Sequence, residues 1–347
     1  MVMKKLTSII CSLVLVLTGC DRTVLEFPEG EGVDPTLIDI NLSLEIDPQI
    51  TPYVAESRSD KPKAGQDDVR WIIEVFRDEI GGEPVARQVL RSEQAPDGVH
   101  KVQTNLQLHA ALYHVVAWMD YVDNGALTDK YYTVNSLSSI KIPEVGTYIG
   151  NEDGKAAYIT KQEVDLRSYS DKWNGTVDET LILKLPMAKI EFITTDIDKF
   201  LDKLASRRVA TRDLSDNPLT GNLDLTTIQV SVEYAGYFPS GFNAYTNKPN
   251  DACLGMSFGT FMTPLTGKEA RLASDYIFVN GSESAVKVNL IICDAEGNLL
   301  NEVHDVDVPI VRGRLTTIRD EFLTRDYAPG IGIDPGFDGE IDIIIPD

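Results

Sequence analysis

A period-two alternation of apolar and polar residues recurs along this chain and restricts most of it to sheets. The clearest instance is Ile38, Ile40, Leu42, Leu44 and Ile46, interleaved with Asp39, Asn41, Ser43 and Glu45. Successive side chains of a strand point to opposite faces, so this segment buries one face and wets the other. Further short strands are predicted at Val69–Phe76, Val85–Leu90, His100–Leu108, Tyr113–Met119, Tyr158–Val164 and Leu181–Phe192. Turn residues separate them, as in Pro96-Asp97-Gly98, Asp123-Asn124-Gly125 and Glu152-Asp153-Gly154. After residue 226 the pattern resumes at Thr227–Tyr237, Tyr276–Val279, Ala285–Cys293, Val306–Val311, Leu315–Leu323 and Ile341–Ile345. Many short strands with such punctuation point to sandwiches rather than to a parallel sheet with crossover helices.

One short helix is predicted from Asp196, because Ile197, Phe200, Leu201 and Leu204 fall at i, i+3, i+4 and i+7. Acidic residues lead it and Arg207-Arg208 trail it, which suits the helix dipole. The expected fold is mainly β, with two tandem β-sandwich domains of Greek-key, transthyretin-like type. They are expected at residues 36–178 and 179–347, dividing near residue 178. Residues 56–68 are polar and read as an exposed loop. Two cysteines fall in these domains, Cys253 and Cys293, and sequence leaves open whether they pair.

The first residues carry a different signal. Lys4 and Lys5 precede an apolar run from Leu6 to Leu17, and Leu17-Thr18-Gly19-Cys20 follows. A secretory signal has this layout. The apolar run is too short for a membrane-spanning helix, which needs about 20 such residues. Leu-Thr-Gly-Cys resembles the bacterial lipobox. The resemblance implies that residues 1–19 are a lipoprotein signal peptide, cut before Cys20, and that the Cys20 sulfur carries a diacylglycerol. Residues 20–35, with Pro28, Gly30, Gly32 and Pro35, read as a flexible tether. Loss of residues 1–19 removes two lysines and no acid, so the net charge falls from −22 to −24. So acidic a body is a poor partner for nucleic acid or anionic lipid, and suits solubility at a surface.

The chain's candidate chemistry is sparse. Gly255-Met256-Ser257-Phe258-Gly259 has the spacing of a serine nucleophile motif, and Asp294 and His304 follow in hydrolase order. That motif requires a strand, a sharp turn and a helix, and no helical period follows Ser257. His109 and His114 fall on opposite faces of a predicted strand, and His100 and His304 lack ligand-type neighbours. The acidic turns Asn151–Gly154 and Asp334–Asp342 lack the full spacing of a calcium loop. No catalytic residue, metal or cofactor is expected. Trp71 and Trp173 are candidate platforms for a sugar, which makes a glycan-binding surface lipoprotein the alternative function.

Several stretches resemble the fimbrillin family, the major or minor pilin lipoproteins of Bacteroidales. They are Val308–Leu323 followed by Gly330–Ile341, Leu185-Pro186-Met187-Ala188-Lys189-Ile190, Val115–Tyr121 and Asp129–Tyr132. The resemblance implies two β-sandwich domains and a non-enzymatic subunit or accessory protein of a cell-surface fimbria, exported as an outer-membrane lipoprotein. Other pilin subunits and a host or bacterial receptor would be its partners, and stalk, tip and anchor positions all remain open. It further implies that an arginine-specific protease removes a leading segment, and that a neighbour's donor strand fills the gap. Residues 36–46 are the candidate removable strand. Arg58 is the candidate cleavage point, with an ordinary solvated loop residue as the other reading. The candidate donor strand lies at 339–347, where Ile341, Ile343 and Ile345 share a face. The same segment can equally be an edge strand of its own domain.

Overall fold

The computed structural model describes residues 34, 36–47, 67–93, 95, 100–210, 224–325 and 340–344, the backbone alone for 207–210 and 340–344. Cys20, Arg58, Ile345, the signal peptide and nearly all of the tether lie outside them. The fold is mainly β, as the alternation predicts.

Five sheets account for the strands. The first has order β4-β1-β9, from Lys101–Leu108, Ile38–Ile46 and Thr176–Leu183. It faces a second of order β3-β2-β5-β8, from Ala86–Glu93, Asp67–Arg77, Leu112–Asp123 and Tyr158–Asp165. The inward row of β1 and the inward rows of β2 and β5, with Trp71, Ile73, Val115 and Ala117, share one buried core. Polar side chains bind the sheets at one seam, where Gln88 of β3 donates to the carbonyl of Asn105 and accepts from Thr104.

The sequence segment predicted as one strand over Leu181–Phe192 is two. β9 ends at Leu183, and β10 runs from Met187 to Thr194. Pro186 lies between them and has no N–H for a ladder, so the chain breaks there and changes sheet. β9 pairs along its length with β1, and β10 with β16 and β19, so the chain passes from one sheet to another across residues 184–186.

In the second half, a sheet of order β15-β16-β10-β19-β20 contains Thr263–Pro264, Ala270–Phe278, β10, Leu315–Asp320 and Glu340–Ile344. Its companion, β14-β11-β17-β18, contains Ser257–Phe261, Gln229–Tyr234, Glu283–Cys293 and Leu299–Val311. The helix α1 spans Ile197–Ala210 and buries Ile197 and Phe200. Asp196, just before it, accepts from the Thr324 hydroxyl at 2.6 Å and so ties the helix to the end of the second half.

The halves are joined by more than the chain. A fifth sheet, β13-β12-β7-β6, combines Lys248–Cys253 and Phe238–Asn243 of the second half with Ser139–Lys141 and Thr133–Ser136 of the first. Its short, Gly-, Pro- and Asn-rich strands carry little periodicity. Beside it, Tyr245 donates to the Glu74 carboxylate at 2.6 Å and packs edge-on against Phe76. Below it lies a buried ion pair between Lys155 of the first half and Asp275 of β16. The Lys155 amine also donates to the Tyr148 hydroxyl at 2.6 Å, and Tyr148 and Tyr234 donate to Asp275 at 2.7 and 2.5 Å. Burial pulls the Lys155 amine below its ordinary value, and burial beside Asp275 pushes both phenols well above theirs. The acidic turn before Lys155 serves this joint. Asn151 accepts from the Ser274 backbone and hydroxyl and donates to Thr260, and the Asp153 carboxylate meets Lys189 at 2.6 Å.

Candidate strand-exchange groove

β1 occupies the middle of its sheet, antiparallel to β4 and parallel to β9. Its inward row, Ile38, Ile40, Leu42, Leu44 and Ile46, is at most 2% exposed. Full burial of an aliphatic side chain of this size is worth about 1.5–3 kcal/mol. Five of them together match the stability of a typical domain, about 5–15 kcal/mol. A seat this deep cannot stand empty: without β1, an apolar trough and two unpaired strand edges face water. Both β4 and β9 follow sequence patterns with inward Leu106, Leu108, Leu181 and Leu183, so the trough walls are themselves aliphatic.

The outward row of β1 is polar, and Asp39, Asn41 and Glu45 meet partners fixed by the register. Gln107 of β4 donates to Asp39 at 2.8 Å. Asn41 uses both ends of its carboxamide, donating to Asp178 of β9 at 2.7 Å and accepting from Asn105 of β4 at 3.1 Å. Lys101 of β4 pairs with Glu45, holding that carboxyl below its usual value. The Ser43 hydroxyl donates to Glu45 at 3.3 Å. At the start of the strand, Asp34 accepts from the Thr36 backbone and hydroxyl, which lowers its carboxyl, and the Thr36 hydroxyl meets His109 Nδ1 at 3.2 Å. Backbone bonds from Asp39 to Gly175, and from Ile46 to His100, close the two ends.

Sequence reasoning located β1 but missed its rim. Of the residues facing its outward row, Lys101, Asn105 and Gln107 are unremarkable polar residues of a predicted strand, and Asp178 precedes the strand predicted from Leu181. The alternation Lys101, Gln103, Asn105, Gln107 is the one signal that could have marked β4 as the antiparallel neighbour.

The C-terminal segment forms β20, whose backbone pairs antiparallel with β19, placing Ile341 opposite Ile318 and Ile343 opposite Thr316. Among the described residues it takes the edge position of its sheet, with a ladder to β19. Ser257, Asp294 and His304 are not brought together. Ser257 lies opposite Glu233 and Cys293 opposite Gln229, so the serine and Cys293, the neighbour of Asp294, lie on strands either side of β11 and are offset by about 13 Å along it at 3.3 Å per residue. Asp294 accepts from the backbone of Glu296 and Asn298 in its own turn, and His304 pairs with Glu302. His109 and His114 go to different partners, the latter to the Asp78 carbonyl. Cys253 and Cys293 are both free thiols.

Trp71 cannot serve as a sugar platform. It is fully buried, its indole N–H donating to Ser92 at 3.1 Å, because it belongs to the inward row of β2. Trp118 is equally buried, whereas Trp173 is 72% exposed in the loop before β9.

Three solved structures are similar at low identity. The fimbrial anchor protein Mfa2 from Porphyromonas gingivalis is 11% identical with a TM-score of 0.40, over 82% of this chain and 90% of that one. A fimbrial assembly protein from Parabacteroides distasonis is 13% identical with a TM-score of 0.36, over 82% and 90%. A protein from Bacteroides ovatus, provisionally assigned to cell adhesion, is 13% identical with a TM-score of 0.44, over 83% and 92%. No curated protein matches the chain. A model described as a family of unknown function, DUF6562, matches residues 35–346, and the chain belongs to that family.

Proposed function

We propose that this chain is a non-enzymatic protein of the bacterial cell surface, a subunit or accessory of a fimbria that assembles by strand exchange at the β1 seat. The observation that supports it best is the seat itself: an interior strand, reached by chain on both sides, whose five aliphatic side chains are wholly buried between two ladders. The residues that resemble fimbrillins, and the lipobox at Cys20, support the same role. Lipidation at Cys20 would deliver the sealed precursor to the outer membrane. Cleavage at Arg58 would detach β1 and the anchor in one cut, and a neighbouring pilin subunit would supply the replacement strand. A strand at a sheet edge, such as β20 with Ile341 and Ile343, is less costly to release than β1, which suits it to donation into the seat of a different subunit. An adhesive role toward a host or bacterial receptor follows from the same surface placement.

The experiment is limited digestion of the full precursor with an arginine-specific protease, followed by N-terminal sequencing and electrophoresis without boiling. A new N-terminus at Ser59, accompanied by ladders of multimers with added fimbrial subunits, is expected. An intact Arg58–Ser59 bond, or a cut chain that joins no other subunit, overturns it. Glycan binding through Trp173 is a second reading, favoured by the exposure of that indole alone.

A further inference from the structure

We infer that the polar rim of the β1 seat, made by Lys101, Asn105, Gln107 and Asp178, selects which strand the seat accepts and in which register. The inference rests on strand exchange at β1.

The apolar trough cannot do this by itself. Its occupants, Ile38, Ile40, Leu42, Leu44 and Ile46, are nearly alike in size. A slip of one residue turns every side chain to the wrong face, but a slip of two restores the alternation and refills the same pockets. Only the outward row distinguishes these registers. Move β1 by two in one direction and Asp39 replaces Asn41, setting its carboxylate beside that of Asp178, while Ser43 takes the place opposite Lys101. Move it the other way and Ser43 replaces Asn41, so Asn105 and Asp178 both lose their carboxamide partner.

The rim therefore reads a specific outward sequence: acid opposite Gln107, carboxamide between Asn105 and Asp178, a small residue, then acid opposite Lys101. The central requirement is the carboxamide, because its separate N–H and C=O ends reach a carboxylate on one side and an amide on the other. The chain's own segment 340–346 lacks it. With Ile341, Ile343 and Ile345 in the trough, its outward residues are Glu340, Asp342, Ile344 and Pro346. Each either sets an acid beside Asp178 or leaves the rim unpaired. The occupant that fits is a strand from a different subunit, with aliphatic residues inward and Asn or Gln at the central outward position.

The test uses the full chain with a specific protease site placed at residues 58–59, cut so that β1 stays seated without a covalent link to the body. Displacement of β1 by labelled peptides is then followed by native mass spectrometry. A peptide of residues 38–46 is expected to exchange in. Its Asn41→Asp version is expected to bind about tenfold more weakly, in line with the loss of the hydrogen bond to Asp178 and a new like-charge contact in its place. Asp178→Asn in the body should restore that version selectively. A peptide of residues 339–347 should also bind weakly. Equal uptake of every peptide overturns rim selection and leaves strand exchange standing. Failure of even the 38–46 peptide to enter overturns strand exchange, and the rim's role with it.

Discussion

Replacing Leu44 with alanine tests whether β1 belongs to the folding core of the first half. Leu44 is fully buried, lies opposite Val102 on β4 and Leu181 on β9, and points at the sheet that carries Trp71. Truncation removes three carbons from a site walled on both sides by hydrogen-bonded strands, which limits collapse of the resulting cavity. Leu→Ala changes at such sites cost about 2–5 kcal/mol, and about 3 kcal/mol is expected here. Urea unfolding followed by tryptophan fluorescence is the suitable assay, because Trp71 and Trp118 are both buried in the first half. With a urea slope of about 3 kcal/mol/M for a protein of this size, the midpoint should fall by about 1 M with the slope unchanged. Ser43→Ala, one residue earlier on the wet face, should move it by no more than about 0.2 M. Equal shifts for the two variants, or none for Leu44→Ala, would show that β1 is not seated as the structure has it.

Three further outcomes can be checked. Lys155→Met should destabilise by about 3–5 kcal/mol, since it strands the Asp275 carboxylate in the core; the double change Lys155→Met with Asp275→Leu should recover only part of that in the same melts, because Tyr148 and Tyr234 then lose their acceptor. The Glu45 carboxyl is lowered in the fold by Lys101, so its contribution is present above its ordinary value of 4.5 and lost as pH falls through the folded value. Unfolding midpoints of wild type and Lys101→Met should therefore differ at pH 6 and converge by pH 3, and a gap that persists in acid would refute the pairing. If glycan binding operates, Trp173→Ala should abolish retention on the glycan columns that hold the wild type, and Tyr237→Ala, at a second exposed aromatic, should not.

The parts of this molecule legible in sequence are those where one physical rule acts alone. β1 is evident because burial on one face imposes strict alternation over nine residues. α1 is evident because its apolar residues keep a helical period. β12 and β13 were not, because Phe238-Pro239-Ser240-Gly241-Phe242 and Lys248-Pro249-Asn250-Asp251 are placed by contacts across the two halves rather than by their own pattern. Lys155 and Asp275 lie 120 residues apart, and only the fold shows that each is the other's counterion. The rim of the β1 seat was hidden for the same reason. Asn41 looks like any solvated asparagine until the register sets Asn105 and Asp178 on either side of it.

The placement of β1 between two ladders also has a mechanical meaning. A strand tugged along its own axis, with neighbours bonded on both flanks, strains all of those bonds together and yields only when they rupture in concert. A strand on the rim of a sheet can be peeled away one bond at a time. In a filament built by refilling this seat, every junction between protomers would bear tension in the first manner. The same depth that makes the original strand slow to leave would let a fibre of such units resist shear at a surface.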